Sequence, residues 1–327
     1  MAGWLLVGLA FAVGAAALAL FVGMPELDLG TALSEPESWQ HAALWKLQLP
    51  RIGQGLVVGA TLAVSGAALQ GLLRNPLADP FILGVSGGAA LGSAAVMLMG
   101  LGTALIAPLG GFLGALGALL VVTALATEGG RIAPLRMLLI GVVFNALAGA
   151  GLMVLQALAD PGAVQLTLMR LMGSVGADPS EPLLLPLLVV AAVIGIVATL
   201  VSARGLNLLA LGDETARSLG VAPDRLRLTL FVLISLAVGA TVAVTGLIGF
   251  VGLIVPHAVR LVVGPDHRVV LPLSALVGAG FVVVADAAVS ALAPAMGTEL
   301  PVGVVTALVG GPMFLVLLRR RPARVSE

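Results

Sequence analysis

Long apolar runs, broken by short polar connectors, fill nearly the whole chain. A bilayer-crossing helix needs about 20 apolar residues. Ten runs reach or approach that length: 2–23, 50–73, 81–100, 103–126, 134–158, 183–202, 228–247, 249–264, 269–293 and 301–318. The third and eighth are short, with Pro76, Pro80 and Pro256 near their starts. A further apolar piece, 164–173, cannot span and is expected to lie at the surface or re-enter. The pattern predicts an all-α polytopic membrane protein, one domain over 1–327, with about ten transmembrane helices. Continuous runs, without residue-by-residue alternation, exclude an outer-membrane barrel. Ala17-Leu18-Ala19 offers a small-residue cleavage site, but Met1–Trp4 carries no positive side chain and the first run is long, so it reads as a retained span.

Charge then orients the spans. Ten crossings put both termini on one side, and the arginine tail (Arg319, Arg320, Arg321, Arg324) makes that side cytoplasmic. The same side collects Arg74, Arg131, Arg136, Arg204, Arg217, Arg225, Arg227, Arg260 and Arg268, thirteen basic residues in all. The opposite side holds three: Lys46, Arg51 and Arg170.

The chain also repeats. Residues 58–66 read VGATLAVSG and 238–246 read VGATVAVTG, identical at seven of nine positions. The offset of 180 also aligns Pro76 with Pro256 and Gly84 with Gly264. The copies lie in spans 2 and 7, an odd number of crossings apart, so they run in opposite directions. Repeat halves of about 50–158 and 228–318 follow, an inverted arrangement typical of transporters.

Composition narrows the function. The chain is 60% hydrophobic and 10% charged, with a mean hydropathy of +1.16. That leaves too little polar surface for a soluble enzyme or a nucleic-acid binder. Glycine, 43 of 327 residues, permits close helix packing. There is no cysteine, and three scattered histidines (His41, His257, His267) make a metal centre or other cofactor site unexpected. The one lysine, Lys46, lies in Leu44-Trp45-Lys46-Leu47, outside any phosphate-binding loop, so ATP must be bound by another chain.

The longest cytoplasmic segment, 203–227, reads either as a docking element or as a solvated connector. Asp213 can cap a short helix ended by Gly220, with Pro223 beyond. Asp213 and Arg217 can pair at four-residue spacing, leaving Ala216 and Leu219 as apolar knobs for a partner's groove. Elsewhere Gly84-Val85-Ser86-Gly87-Gly88 fits a serine-hydrolase elbow with His257 as a conceivable base. Asp286, inside span 9, is either a proton carrier or a packing acid bonded to a neighbouring Ser, Thr or backbone group. Asn145, Gln156 and Gln70 either line a polar path or pair across helices.

Four segments together are distinctive: LPRIGQGLVVGATLAVSGAALQGLLRNPLADPFILGVSGGAALG (49–92), NLLALGDETARSLGV (207–221), GLIGFVGLIVPHAVRLVVGPDHRVVLP (246–272) and ELPVGVVTALVGGPMFLVLL (299–318). They resemble the FecCD-type permeases, membrane subunits of type II ABC importers for vitamin B12, ferric siderophores and haem. The resemblance runs from about residue 45 to 320. It implies a homodimer around one pathway, two ATP-binding cassette ATPase subunits below, and a periplasmic substrate-binding protein above. It assigns ATPase coupling to Leu211, Gly212, Asp213, Glu214, Ala216, Arg217, Leu219 and Gly220, on a 207–221 helix. It places the cytoplasmic gate at Arg131, Ala133, Pro134 and Leu135, and binding-protein docking at Arg51. Gln48 and Ser290 stand where vitamin B12 permeases carry further arginines. The hydrolase reading gives way to a helix start beside the pathway, with Ser86 and Asn145 lining it. Arg170, Met169 and Met172 flank the outer mouth. An arginine there, doubled by the homodimer, suits the two propionates of haem, so an iron chelate, haem first, is the expected cargo. Cobalamin or a siderophore is the alternative, and a proton-coupled carrier using Asp286 is a more distant one.

Overall fold

The structure, a computed structural model, describes residues 2–24, 28–101, 106–128, 131–176, 183–298 and 300–319. Its elements are α1 (Ala2–Gly23), α2 (Leu29–Ser34), α3 (Trp39–Ala43) and, through a π-helical turn Leu44–Gln48, α4 (Leu49–Leu72). A 3₁₀ turn Pro80–Leu83 leads into α5 (Val85–Leu98), followed by α6 (Ile106–Ala126) and a two-stranded hairpin, β1 (Thr127–Glu128) and β2 (Arg131–Ile132). Then come α7 (Pro134–Leu158), α8 (Pro161–Leu171), α9 (Leu184–Val201), α10 (Ala203–Ala210) and α11 (Asp213–Ser218). The last are α12 (Pro223–Thr245), α13 (Val251–Val263), α14 (His267–Met296) and α15 (Val302–Arg319). Prolines open α7, α8 and α12, where a missing backbone N–H costs nothing.

Among the described residues, seven helices are long and apolar enough to cross a bilayer, and the shorter α5, α13 and α15 are apolar too, which together make the ten expected from the sequence. The 164–173 piece is α8, eleven residues long. The spans do not form a ring of equals. α4 is buried along most of its length, whereas α7 is exposed along most of its own.

The two helices that carry the repeated segment pack in a reciprocal way. α4, which opens the first half, packs chiefly against α14 and α13 of the second. α12, which opens the second half, packs against α6 and α5 of the first. Each lead helix is thus clasped by the other half. The matched glycines lie in these seams: a Cβ on Gly59 would strike the Gly278 carbonyl oxygen, and one on Gly239 the Ala115 side chain. The residue-by-residue register is confined to these lead helices. Pro76 lies in a loop, Pro256 lies inside α13, Gly84 precedes α5 and Gly264 follows α13. α12 stops at Thr245 while α4 runs on to Leu72, so the 180-residue offset cannot persist past the first helix of each half.

The short helices α5 and α13 begin inside the apolar layer. Gly252, in the first turn of α13, lies against Gly66 and the Leu62 carbonyl of α4. Leu62 sits about 18 Å of helix from the Arg74 end. Leu83, just before α5, lies against Gly141, two turns into α7. With 14 and 13 residues, both helices are about two-thirds the length of a full crossing and start where backbone enters from a loop.

The α4–α13 contact is the tightest of these. A Cβ on Gly66 would stand 1.8 Å from the Gly252 carbonyl oxygen and 2.5 Å from its Cα, both main-chain atoms that cannot swing aside. Gly66→Val is expected to lower the unfolding temperature of the detergent-solubilised protein and its monodisperse yield, by at least the ~1–3 kcal/mol of an overpacked core. Gly53→Ala, in the same helix with nothing within 4 Å, should leave both unchanged or raise them slightly. Equal behaviour of the two variants would refute the close approach.

Candidate functional site

One face of the bundle collects the charged ends of the spans, and a single carboxylate organises it. Asp213, the first residue of α11, accepts two hydrogen bonds from Arg227 near the start of α12, at 2.7 and 2.8 Å. It also pairs with Arg74, just past the end of α4, whose Nε donates to the Leu209 carbonyl of α10 at 2.8 Å. Arg227 is 3% exposed. The Arg227 hydrogen bonds, aided by the charges of Arg227 and Arg74, hold the Asp213 carboxyl below the usual carboxylate range against its partial burial. Nearby, Asn207 of α10 accepts from the His267 backbone N–H at 3.0 Å and donates to Asp266 at 2.6 Å, fastening α10 to α14. The segment between α9 and α12 is thus bolted to three spans.

This revises the local reading of 203–227. The 207–221 stretch is not one helix: α10 and α11 meet at Gly212, whose φ of +115° gives a corner that other residues rarely adopt. α11 does end before Gly220, at φ +84°, as its sequence indicated. Asp213 does not cap α11 with its side chain, nor pair with Arg217, because two arginines from outside α11, Arg74 and Arg227, claim it. Arg217 pairs with Asp224 at 3.1 Å. Ala216 is no outward knob; it is fully buried in the core. Leu211 and Leu219 are the exposed apolar residues, with Glu214 and Arg217 beside them.

The segment expected to form the gate leads from the hairpin into α7. Ala133 precedes α7 and is half-buried, and Leu135 is 70% exposed. The side chains of Arg131 and Pro134 lie outside the described residues, as do the tail residues Arg320, Arg321 and Arg324.

On the opposite face Arg51 and Asp286 meet across α4 and α14, with Nε and one NH₂ of Arg51 on the two carboxylate oxygens at 2.8 and 2.9 Å. Their side chains are 24% and 8% exposed. Arg51 therefore turns inward as a tie between helices instead of standing free on a docking rim. Asp286 is held by a guanidinium, a partner not among those expected from the sequence. Gln48 is similarly committed, donating to the Ala19 carbonyl of α1 at 2.8 Å.

Ser86 and Asn145 come together, but on protein backbone. Ser86 donates to the Phe81 carbonyl at 3.0 Å, and Asn145 donates to the same oxygen at 2.7 Å while accepting from Gly87 N–H at 3.1 Å. They pin the start of α5 to α7 and do not present polar groups to a pathway. Gln70 does the same for α13, donating to the Gly252 carbonyl at 3.2 Å and accepting from Arg260. Asp79 lies buried beside Gly252; one oxygen caps Phe81 N–H at 2.8 Å and the other has no partner among the described residues.

At the end of α8, Met169 and Met172 line a cavity of about 490 Å³ with Gln156 and Gln165. Arg170 is exposed but falls on another side of α8 and does not line it. Asp178 and Glu181, two acids that follow Arg170 in the sequence, lie outside the described residues. The residues that sequence reasoning missed are Arg74 and Arg227 as partners of Asp213. Their placement among the thirteen basic residues of one side was visible, but nothing local singled out those two.

A family model described as the FecCD transport family matches residues 6–320. The chain is 46% identical to the cobalamin import system permease protein BtuC of Halobacterium salinarum, over 85% of this chain and 73% of that one. It is 42% identical to the hemin transport system permease protein HmuU of Yersinia pestis, over 86% of each. Among solved structures, one described as a metal-chelate type ABC transporter in an inward-facing conformation superposes with a TM-score of 0.80 at 31% identity, covering 95% of this chain and 99% of that one.

Two outcomes follow from the ion pairs. Asp213→Ala should destabilise the protein by about 3 kcal/mol, because it strands the buried Arg227. Because the Asp213 carboxyl titrates low in the folded state, its contribution is complete above the ordinary carboxylate value near ~4 and is lost as pH falls below it. The unfolding temperature of the native protein should thus fall more steeply on acidification than that of Asp213→Asn; equal slopes would count against the hub. For the other face, Arg51→Ala and Asp286→Ala should each destabilise, and the double variant should cost less than their sum. Strict additivity in thermal unfolding would dismiss that pair.

Proposed function

The chain belongs to the FecCD transport family and is an ABC importer permease, and on that premise we propose that two copies line one central pathway carrying an iron chelate, haem first, across the bacterial inner membrane. Two partner ATPase subunits supply the energy, in keeping with a chain whose one lysine, Lys46, sits in no phosphate loop. A periplasmic binding protein delivers the cargo to the face of Arg51 and Arg170. The arginine-rich face, and both termini with it, is cytoplasmic under the positive-inside rule.

The observation that carries this reading is the Asp213 hub. A six-residue helix on the arginine-rich face is joined by one carboxylate to the ends of α4 and α12, the lead helices of the two halves. A push on α11 from an ATPase is delivered to both. Leu211 and Leu219, exposed beside Glu214 and Arg217, are the contacts for the ATPase groove. The segment Arg131, Ala133, Pro134 and Leu135 at the start of α7 is the cytoplasmic gate.

For the cargo, Arg170 is exposed at the opposite face with no ion pair among the described residues. Two copies offer two planar donor forks to two propionates. Met169 and Met172 give a soft wall for a flat macrocycle in the adjoining cavity. Cobalamin is the second reading, favoured by the 46% identity to a cobalamin import permease.

Leu219→Asp is expected to weaken co-purification of the ATPase while leaving the permease inserted; undiminished assembly and transport would defeat the coupling role of α11. Arg170→Ala should lower haem uptake several-fold at unchanged assembly and basal ATPase activity. If cobalamin stimulates the reconstituted complex and haem does not, the haem assignment falls and the cobalamin reading stands.

A further inference from the structure

A cavity of about 300 Å³ opens between the arginine-rich ends of α4, α7 and α12, beside Leu135 and the two arginines of the Asp213 hub. Its walls divide by chemistry. Arg74, Asn75 and Arg227 form one part, and Leu72, Leu135 and Leu138 much of the rest. The charge around it does not balance. Arg74 and Arg227 share the single carboxylate of Asp213, which leaves one positive charge over. The Nε of buried Arg227 has no hydrogen-bond partner among the described residues. Arg74 has committed its Nε and one NH₂, and its side chain, 42% exposed, leaves the second NH₂ open. The open NH₂ of Arg74 and the unpartnered Nε of Arg227 are donors that an anion seated in the cavity would take up.

The shape of the lining indicates which anion. A free phosphate or a nucleotide would satisfy the arginines but would gain nothing from three leucines. A molecule with an anionic head and a hydrocarbon tail matches both parts at once. The cavity also lies at the ends of three spanning helices, the depth at which lipid headgroups sit, and basic pockets between such helices suit anionic headgroups. We propose that this cavity is a binding site for an anionic phospholipid of the leaflet on the arginine-rich face, its phosphate held by Arg74 and Arg227 and one acyl chain lying along Leu72, Leu135 and Leu138. The two-pronged guanidinium geometry fits phosphate oxygens. A lipid bound there touches Leu135 of the gate segment and both arginines of the Asp213 hub. It would stiffen the link between them, a consequence that rests on the transport reading, whereas the binding itself does not.

The test is retention of lipid by the full-length protein. Purified chain in nanodiscs of equal phosphatidylglycerol and phosphatidylcholine is released into native mass spectrometry. The expected result is preferential retention of one phosphatidylglycerol per chain. Arg74→Gln should cut that retention several-fold. Leu138→Trp, which fills the apolar wall and leaves both arginines in place, should do the same, and it carries the test should Arg74→Gln fail to fold. Equal retention of the two lipids by the native protein overturns the proposal, as does undiminished phosphatidylglycerol on folded Leu138→Trp. Inorganic phosphate that displaces the lipid from the native protein, and still binds Leu138→Trp, would make this a site for free anions and overturn it too. Loss of the lipid when the ATPase assembles would give the cavity to an acidic side chain of that partner and would likewise overturn the lipid site.

Discussion

A backbone amide or carbonyl buried away from water must find a hydrogen-bond partner, and this fold starts two helices where no water is at hand. α5 and α13 both begin part-way into the apolar layer, so their first turns and the loops that feed them expose main-chain groups inside the protein. Side chains from neighbouring spans meet that demand. Asn145 and Ser86 converge on the Phe81 carbonyl, and Asn145 also takes the Gly87 N–H. Gln70 holds the Gly252 and Leu253 carbonyls of α13, and Arg260 of α13 reaches back to the Ala67 carbonyl of α4. Such bonds require backbones to come close, which is why Gly66 faces Gly252 with no room for a methyl group. The glycine content of the chain and its few buried amides are two sides of one requirement.

α4 stands at the centre of this arrangement, and its ends tie the two faces of the molecule together. At one end Arg51 clasps Asp286 of α14, a residue 235 positions away. At the other, Arg74 takes a left-handed backbone, φ +48°, to reach Asp213 and the Leu209 carbonyl. Such a conformation costs on the order of 1 kcal/mol for a side chain of this size, and the hydrogen bond to Leu209 and the ion pair with Asp213 hold it in place. The helix that anchors α13 and α14 therefore also leads into the charge hub, which joins α11 to the most buried of the long spans. Asp213 sits outside the apolar layer yet depends on a buried partner, Arg227, which gives the surface helix a rigid connection that an exposed ion pair would not supply.

The sequence by itself determined a great deal. Ten apolar runs, the positive-inside bias, the seven-of-nine repeat and the family segments were legible, and the structure has those helices in that order. So was the short helix ending before Gly220, because capping chemistry is local. What could not be read was which polar side chain answers which. Hydrophobic periodicity reports how a helix divides between core and water, but in a membrane both surroundings are apolar and that signal is nearly absent. Arg51 therefore looked like a rim charge and Asp286 like a proton carrier or a packing acid bonded to some neighbour, and Asp213 was given to Arg217 four residues away. Only the tertiary structure decided these pairings, because each joins residues brought together by helix packing and each is fixed by the cost of leaving a charge or amide unanswered where water is scarce.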